Sequence, residues 1–223
     1  MNLTAANWLG DDDSHIVWLS ERHGLTQETL DAWRSMQHHA AECGLSLDLV
    51  SSYRSFDRQL AIWNAKFNGL RPVLDDQNQH LDIGSLSELE RAIAILRFSA
   101  LPGASRHHWG TDLDVYSKRL QGDIPFDLVA SEYGSGGPQA DVSSWLRQHA
   151  CQYGFMAPYS ADLDGVAIEP WHLSYCEIAQ HIAREISVTI LAERLNQSKI
   201  SGKQTLLDNL PMLFERFVLR VNQ

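Results

Sequence analysis

The sequence predicts an α+β fold: a small antiparallel sheet flanked by helices, with a helical C-terminal extension. Three observations lead there. LSLDLV and TDLDV alternate apolar and polar residues as half-buried strands do; several amphipathic helical segments surround them; and the two kinds are interspersed without a regular βαβ repeat. At 223 residues the chain suits one sizeable domain with a real core. No linker or repeat divides it, so residues 1–223 are read as one domain. Its motif-bearing core spans about 26–175 and its helical tail about 176–223.

The elements follow in order. From Thr26 to Cys43, Leu30, Trp33 and Ala40 fall at helical spacing, and Gly44 offers a stop. LSLDLVSSYRS then sets Leu45, Leu47 and Leu49 against Ser46 and Asp48, as a half-buried strand does. A helix from about Ser55 to Asn68 carries Leu60, Trp63 and Phe67 on one side and stops at Gly69. Residues 71–85 form a polar loop rich in turn formers. Ser87 and Glu90 make a capping box for a helix with Leu89, Ile93 and Leu96 on one face. A second loop, EYGSGGPQA, precedes a helix capped by Asp141 and ended by Gly154. GVAIEPWHLSY reads as a short strand running into an E-P-W-H segment. Helices are expected from about Cys176 to Asn196 and from about Asn209 onward.

Composition narrows the classes of function. With 44% hydrophobic and 21% charged residues, the chain reads as an ordinary globular protein. A formal net charge of −10 argues against nucleic acid or an anionic membrane as partner, and no apolar run approaches a membrane span. MNLTAANWLGDDDSH has neither a basic n-region nor an uninterrupted apolar h-region. The cytoplasm is therefore the expected compartment, or the periplasm if a leader has been trimmed. Cys43, Cys151 and Cys176 form no C-x-x-C pair and are expected to be buried free thiols.

Chemistry concentrates in GASRHHWGTDLDVY. On a strand from Thr111 to Val115, Asp112 and Asp114 point one way and Thr111, Leu113 and Val115 the other. Gly110 lets the chain turn so that His107 folds back toward Asp114. Two carboxylates beside a histidine suit a divalent metal; a solvated face is the alternative. In IEPWHLSY, Glu169 precedes Pro170 and His172 follows three residues on. Catalytic zinc sites take three protein ligands and leave a fourth position to water, which a nearby carboxylate deprotonates. His107, Asp114 and His172, with Glu169 as base, would fill those roles. A straight strand separates Glu169 from His172, so the reading requires a bend at Pro170. No H-E-x-x-H is present, which argues against a helix-borne site.

SRHHWGTDLDV with EPWH resembles the D-alanyl-D-alanine metallopeptidases, a family that includes vancomycin-resistance D,D-carboxypeptidases and shares its fold with Hedgehog signalling domains. The family pattern S-x-H-x-x-G-x-x-x-D, then E-x-W-H, is met by Ser105, His107, Gly110 and Asp114, then Glu169, Trp171 and His172. A third element, SSYRSFDRQ, supplies Arg54 and Gln59. The three stand in family order across Ser51 to Tyr175.

The resemblance implies one zinc ion on His107, Asp114 and His172, with Glu169 as general base and then acid. Arg54 would stabilise an oxyanion or clamp a substrate carboxylate. Ser105, Gln59 and Tyr159 would hold the terminal carboxylate, and Trp171 would form a cleft wall. The implied activity is removal of a terminal D-Ala from peptidoglycan-type peptides. L,D-carboxypeptidase, D,D-dipeptidase or cell-wall endopeptidase activity are the alternatives at the same site, and a zinc-bearing binding module is a third reading. Retention of Glu169 with Arg54 favours an enzyme. Asp112 departs from relatives that carry a small residue there: it is either an acceptor for a metal-bound histidine or a solvent-facing group, with a local structural role favoured. His108 is expected to be a bystander, His38 and His39 surface residues, and Trp33, Trp63 and Trp145 core.

Overall fold

The structure, a computed structural model, describes residues 3–222. The elements run α1 (Ala5–Leu9), β1 (Val17–Trp18), β2 (Gly24–Leu25), α2 (Gln27–Glu42), β3 (Asp48–Ser51), α3 (Phe56–Phe67), α4 (Glu88–Leu96), β4 (Asp112–Tyr116), α5 (Lys118–Gln121), α6 (Ala130–Tyr133), α7 (Ala140–His149), β5 (Phe155–Met156), β6 (His172–Tyr175), α8 (Cys176–Glu185), α9 (Val188–Gln197) and α10 (Lys203–Phe214). The main sheet has the order β3-β4-β6-β5 and is antiparallel throughout. The α+β reading is the fold found.

Helix starts obey local chemistry. Thr26, Ser55 and Ser87 each accept a hydrogen bond from the backbone N–H three residues on, and Glu90 completes its capping box with Ser87. Asp141 instead lies inside the first turn of α7, which starts at Ala140 without a side-chain cap. Leu45 and Leu47 are buried but precede β3. Pairing begins only at Asp48, opposite Tyr116, because β4 extends no further.

The sheet separates two apolar clusters. Leu113, Val115 and Leu173 face one cluster, with Leu30, Trp33, Met36, Trp145 and Phe155. The second joins α1, α3 and α4 to the C-terminal helices through Trp8, Trp63, Ile95, Leu191, Leu206 and Leu213. Trp33, Trp63 and Trp145 are core, as expected.

Two further expectations fail. The segment 176–196 is interrupted at Ile186 and Ser187, whose backbone is extended, and the last helix starts at Lys203 after a left-handed Gly202. Cys43 and Cys151 are exposed and Cys176 is half-buried, so these thiols are not core residues. Two of them lie where helical segments end or turn, outside the apolar faces. No described helix is long and apolar enough to cross a membrane.

Candidate metal centre and substrate cleft

β4 and β6 place the central groups by register. Asp114 pairs directly with His172 and Asp112 with Ser174, so all four point to the sheet face opposite Leu113 and Leu173. His107 arrives from a single 3₁₀ turn, Arg106–Trp109, that ends at Gly110 with φ +71°. A β-carbon at Gly110 would lie 2.3 Å from Ile16, so both the backbone angle and the space call for glycine. The bend required before His172 is present: its N–H bonds to the carbonyl of Glu169, and β6 starts only at His172.

The donor atoms of His107, Asp114 and His172 lie within 4.8 Å of one another, and all three residues are buried. Asp114 Oδ1 stands 3.0 Å from His172 Nδ1, and Oδ2 stands 3.3 Å from His107 Nε2. A tetrahedral ion with bonds of about 2.0–2.1 Å needs donors about 3.3 Å apart. Glu169 Oε2 lies 3.4 Å from His172 Nδ1. Two imidazoles and one carboxylate, with a second carboxylate alongside, make a donor set that fits zinc.

The electrostatics ask for a cation. Burial alone would raise Asp114, yet His107 and His172 hold its carboxyl well below the usual range. His172 is raised to about 10: burial opposes its charge, but Asp112 and Asp114 outweigh burial. Burial lowers His107, with Asp114 opposing. Burial raises Glu169 to about 7, with Asp114 adding and His172 opposing.

Asp112 does not face solvent. Its Oδ1 accepts from Arg106 Nε at 2.7 Å and from His172 Nε2 at 2.9 Å. Its Oδ2 accepts from Thr111 and Ser174. Every lone-pair direction is used, and His172 is left with Nδ1 toward Asp114 and Glu169. This is the geometry of a carboxylate that fixes a histidine's tautomer and orientation.

Arg54 is set in place from behind. Its Nη1 donates to Gln59 Oε1 at 2.7 Å and its Nη2 to Ser51 Oγ at 2.9 Å. Gln59 also donates to the Ala100 carbonyl and is fully buried, so it is an anchor for Arg54 rather than a substrate contact. That corrects the expectation for Gln59: both ends of its amide are consumed by the protein. His108 is also more than a bystander. Its Nε2 accepts from the Gly103 N–H, so its Nδ1 carries the proton and donates to the Arg54 carbonyl. Burial lowers this ring to about 3, which keeps it neutral in that role. A β-carbon at Gly10 would meet the same ring at 2.5 Å, so α1 ends in glycine to let His108 in.

A cavity of about 540 Å³ opens over these groups, lined by Arg54, Ser105, His107, Asp114, Tyr159, Glu169, Trp171 and His172. Tyr159 packs edge-on against His172, with ring centroids 5.0 Å apart, and burial pushes its phenol upward. Trp171 lines the cavity and is also packed in the apolar cluster with Leu113 and Leu173. The 71–85 loop and the tail after Ser174, for which the sequence leaves open shaping substrate access or simple packing, reach the lining through Pro72, Leu74, Asp76 and Asn78 and through Leu213, Phe214, Phe217 and Val218; Lys66 is the lining residue that sequence reasoning missed. It left a local signal, standing seven residues after Gln59 on the same helical face.

A family profile described as VanY, D-alanyl-D-alanine carboxypeptidase, matches residues 22–178. The chain belongs to that family. VanXYC of Enterococcus gallinarum, a bifunctional D-Ala-D-Ala dipeptidase and D-Ala-D-Ala carboxypeptidase, is 34% identical over 139 residues, which is 59% of this chain and 58% of VanXYC. An uncharacterized protein of Haemophilus influenzae is 40% identical over 105 residues, 45% of this chain and 72% of that one. Among solved structures, VanYB in complex with D-alanine-D-alanine matches with a TM-score of 0.55 at 21% identity, over 84% of this chain and 91% of that chain. A VanY mutant from a VanB-type resistance cassette in complex with Zn(II) matches at 0.53 and 20% identity, over 77% and 86%. These likenesses establish the fold. The family assignment makes the chain a peptidase of the D-Ala-D-Ala type.

Proposed function

We propose that this protein is a zinc-dependent carboxypeptidase that releases the terminal D-Ala from peptidoglycan-type peptides. The observation that carries the reading is the convergence of His107, Asp114 and His172 with Glu169 alongside, at the floor of a cavity of peptide size. His107, Asp114 and His172 would hold the zinc ion, which would supply Lewis acidity for the scissile carbonyl and for an attacking water. Glu169 takes the proton from that water as it attacks, and returns it to the departing nitrogen as the C–N bond breaks. Burial raises its carboxyl above the usual range, in the direction that favours accepting a proton. Arg54, pinned by Gln59 and Ser51, donates to the negative charge that develops on the carbonyl oxygen. Asp112 holds His172 in its tautomer, and Ser105, Tyr159 and Trp171 shape the substrate pocket.

Zinc and D-alanine-D-alanine in the solved relatives support this reading. Incubating the zinc-loaded protein with L-Lys-D-Ala-D-Ala and L-Lys-D-Ala peptides, with products identified by mass, tests it. Free D-Ala from the first peptide is expected. Release only from the second makes the enzyme an L,D-carboxypeptidase, and two intact peptides contradict the proposal.

A further inference from the structure

Four lysine or arginine side chains line the cavity: Arg54, Lys66, Arg97 and Arg106. Their charges are not equally available. Arg97 is neutralised by Asp76 at 3.0 Å and Asp162 at 2.7 Å, and Arg106 by Asp112 at 2.7 Å. Arg54 is bonded to two neutral acceptors, which fix its guanidinium at the metal end beside Asp114 and Glu169. Lys66 differs from all three. Among the described residues, none forms a hydrogen bond or an ion pair with its ammonium group.

An unpaired cation in a partly buried position is costly, and a protein keeps one where a ligand brings the counter-charge. Burial pushes the Lys66 ammonium down to about 8, with Arg54 and Arg71 adding to the effect and Glu169 opposing it. Lys66 lies two helical turns along α3 from Gln59, on the same face, so it belongs to the wall that anchors Arg54. A carboxypeptidase must meet two negative groups at neighbouring positions: the oxyanion at the scissile carbonyl and the free carboxylate one residue beyond. Consecutive Cα atoms are about 3.8 Å apart, so a single fixed guanidinium is poorly placed to serve both.

Building on the peptidase reading above, we infer that Lys66 binds the free α-carboxylate of the residue to be released, which leaves Arg54 to the oxyanion. Lys66 is then the residue that makes the site select a free C-terminus. The ligand class is a peptide or acylated amino acid with an unblocked terminal carboxylate.

The test uses the zinc-loaded protein, its Lys66→Met and Lys66→Arg variants, and peptides ending in free D-Ala or in its amide. With the free acid, Lys66→Met is expected to lower kcat/KM by roughly 10- to 100-fold, the scale of one charge-assisted hydrogen bond. The loss should fall mainly on KM, and Lys66→Arg should recover most of it. With the amide, wild type should already be poor and Lys66→Met should cost nothing more. Calorimetric binding of N-acetyl-D-alanine gives a readout independent of turnover, with about tenfold weaker binding expected in Lys66→Met. Unchanged binding and unchanged KM in that variant overturn the inference. Binding that depends on Lys66 in a protein that hydrolyses neither peptide overturns the peptidase reading and leaves the carboxylate site standing.

Discussion

The two ends of the cavity are built from different kinds of sequence. At the metal end, His107, Asp114, Glu169 and His172 come from two short segments, joined by direct pairing of β4 with β6. At the far end, the 71–85 loop and the last helix line one cavity although well over a hundred residues separate Asn78 from Leu213. Strand alternation and a tight turn determine the first arrangement locally. Only packing across the second apolar cluster produces the other. The metal end should therefore fail through single ligand changes, and the far end through loss of packing or of contacts between loops.

Breaking the metal end has the largest expected effect. His172→Ala should lose bound zinc and hydrolysis together, measured by metal analysis and by the peptide assay; unchanged zinc content would show the ligand set to be wrong. Asp112→Ala keeps all three donors but removes the acceptor that holds His172. Metal affinity should drop about 10- to 100-fold, read from competition with a chelator. At the other end, Leu213, 1% exposed, sits in the cluster that seats the tail. Leu213→Ala should cost about 2–5 kcal/mol of stability in thermal or urea unfolding, with zinc affinity unchanged. The smallest effect is expected at Arg97, which joins Asp76 of the 71–85 loop to Asp162 across the cleft. Arg97→Gln should cost about 1 kcal/mol or less, because both acids are largely exposed. It should nevertheless speed proteolytic cleavage within 71–85.

How much the sequence revealed follows the same division. Ser87 with Glu90, Thr26 and Ser55 announce their helices because capping is a contact over three residues. Asp112 and Asp114 share a face because strands alternate, and Pro170 signals the turn that brings Glu169 to His172. The anchoring role of Gln59 is not legible in the sequence because its amide bonds Ala100, 41 residues away, and no local pattern encodes that contact. His108 was underrated for a similar reason: its partner is a backbone carbonyl 54 residues earlier. The break at Ile186 and Ser187 went unseen because apolar periodicity runs on through it, while the chain turns there to pack Leu191 and Leu195 into the core.

The central claim is that Glu169 moves the proton while three other residues hold the metal. Glu169→Gln tests it directly, with zinc stoichiometry and D-Ala release measured on the same preparation. The account predicts one zinc ion per chain, as in wild type, and hydrolysis reduced by roughly 10²- to 10⁴-fold. Wild-type turnover with zinc retained, or zinc lost along with the activity, would contradict it.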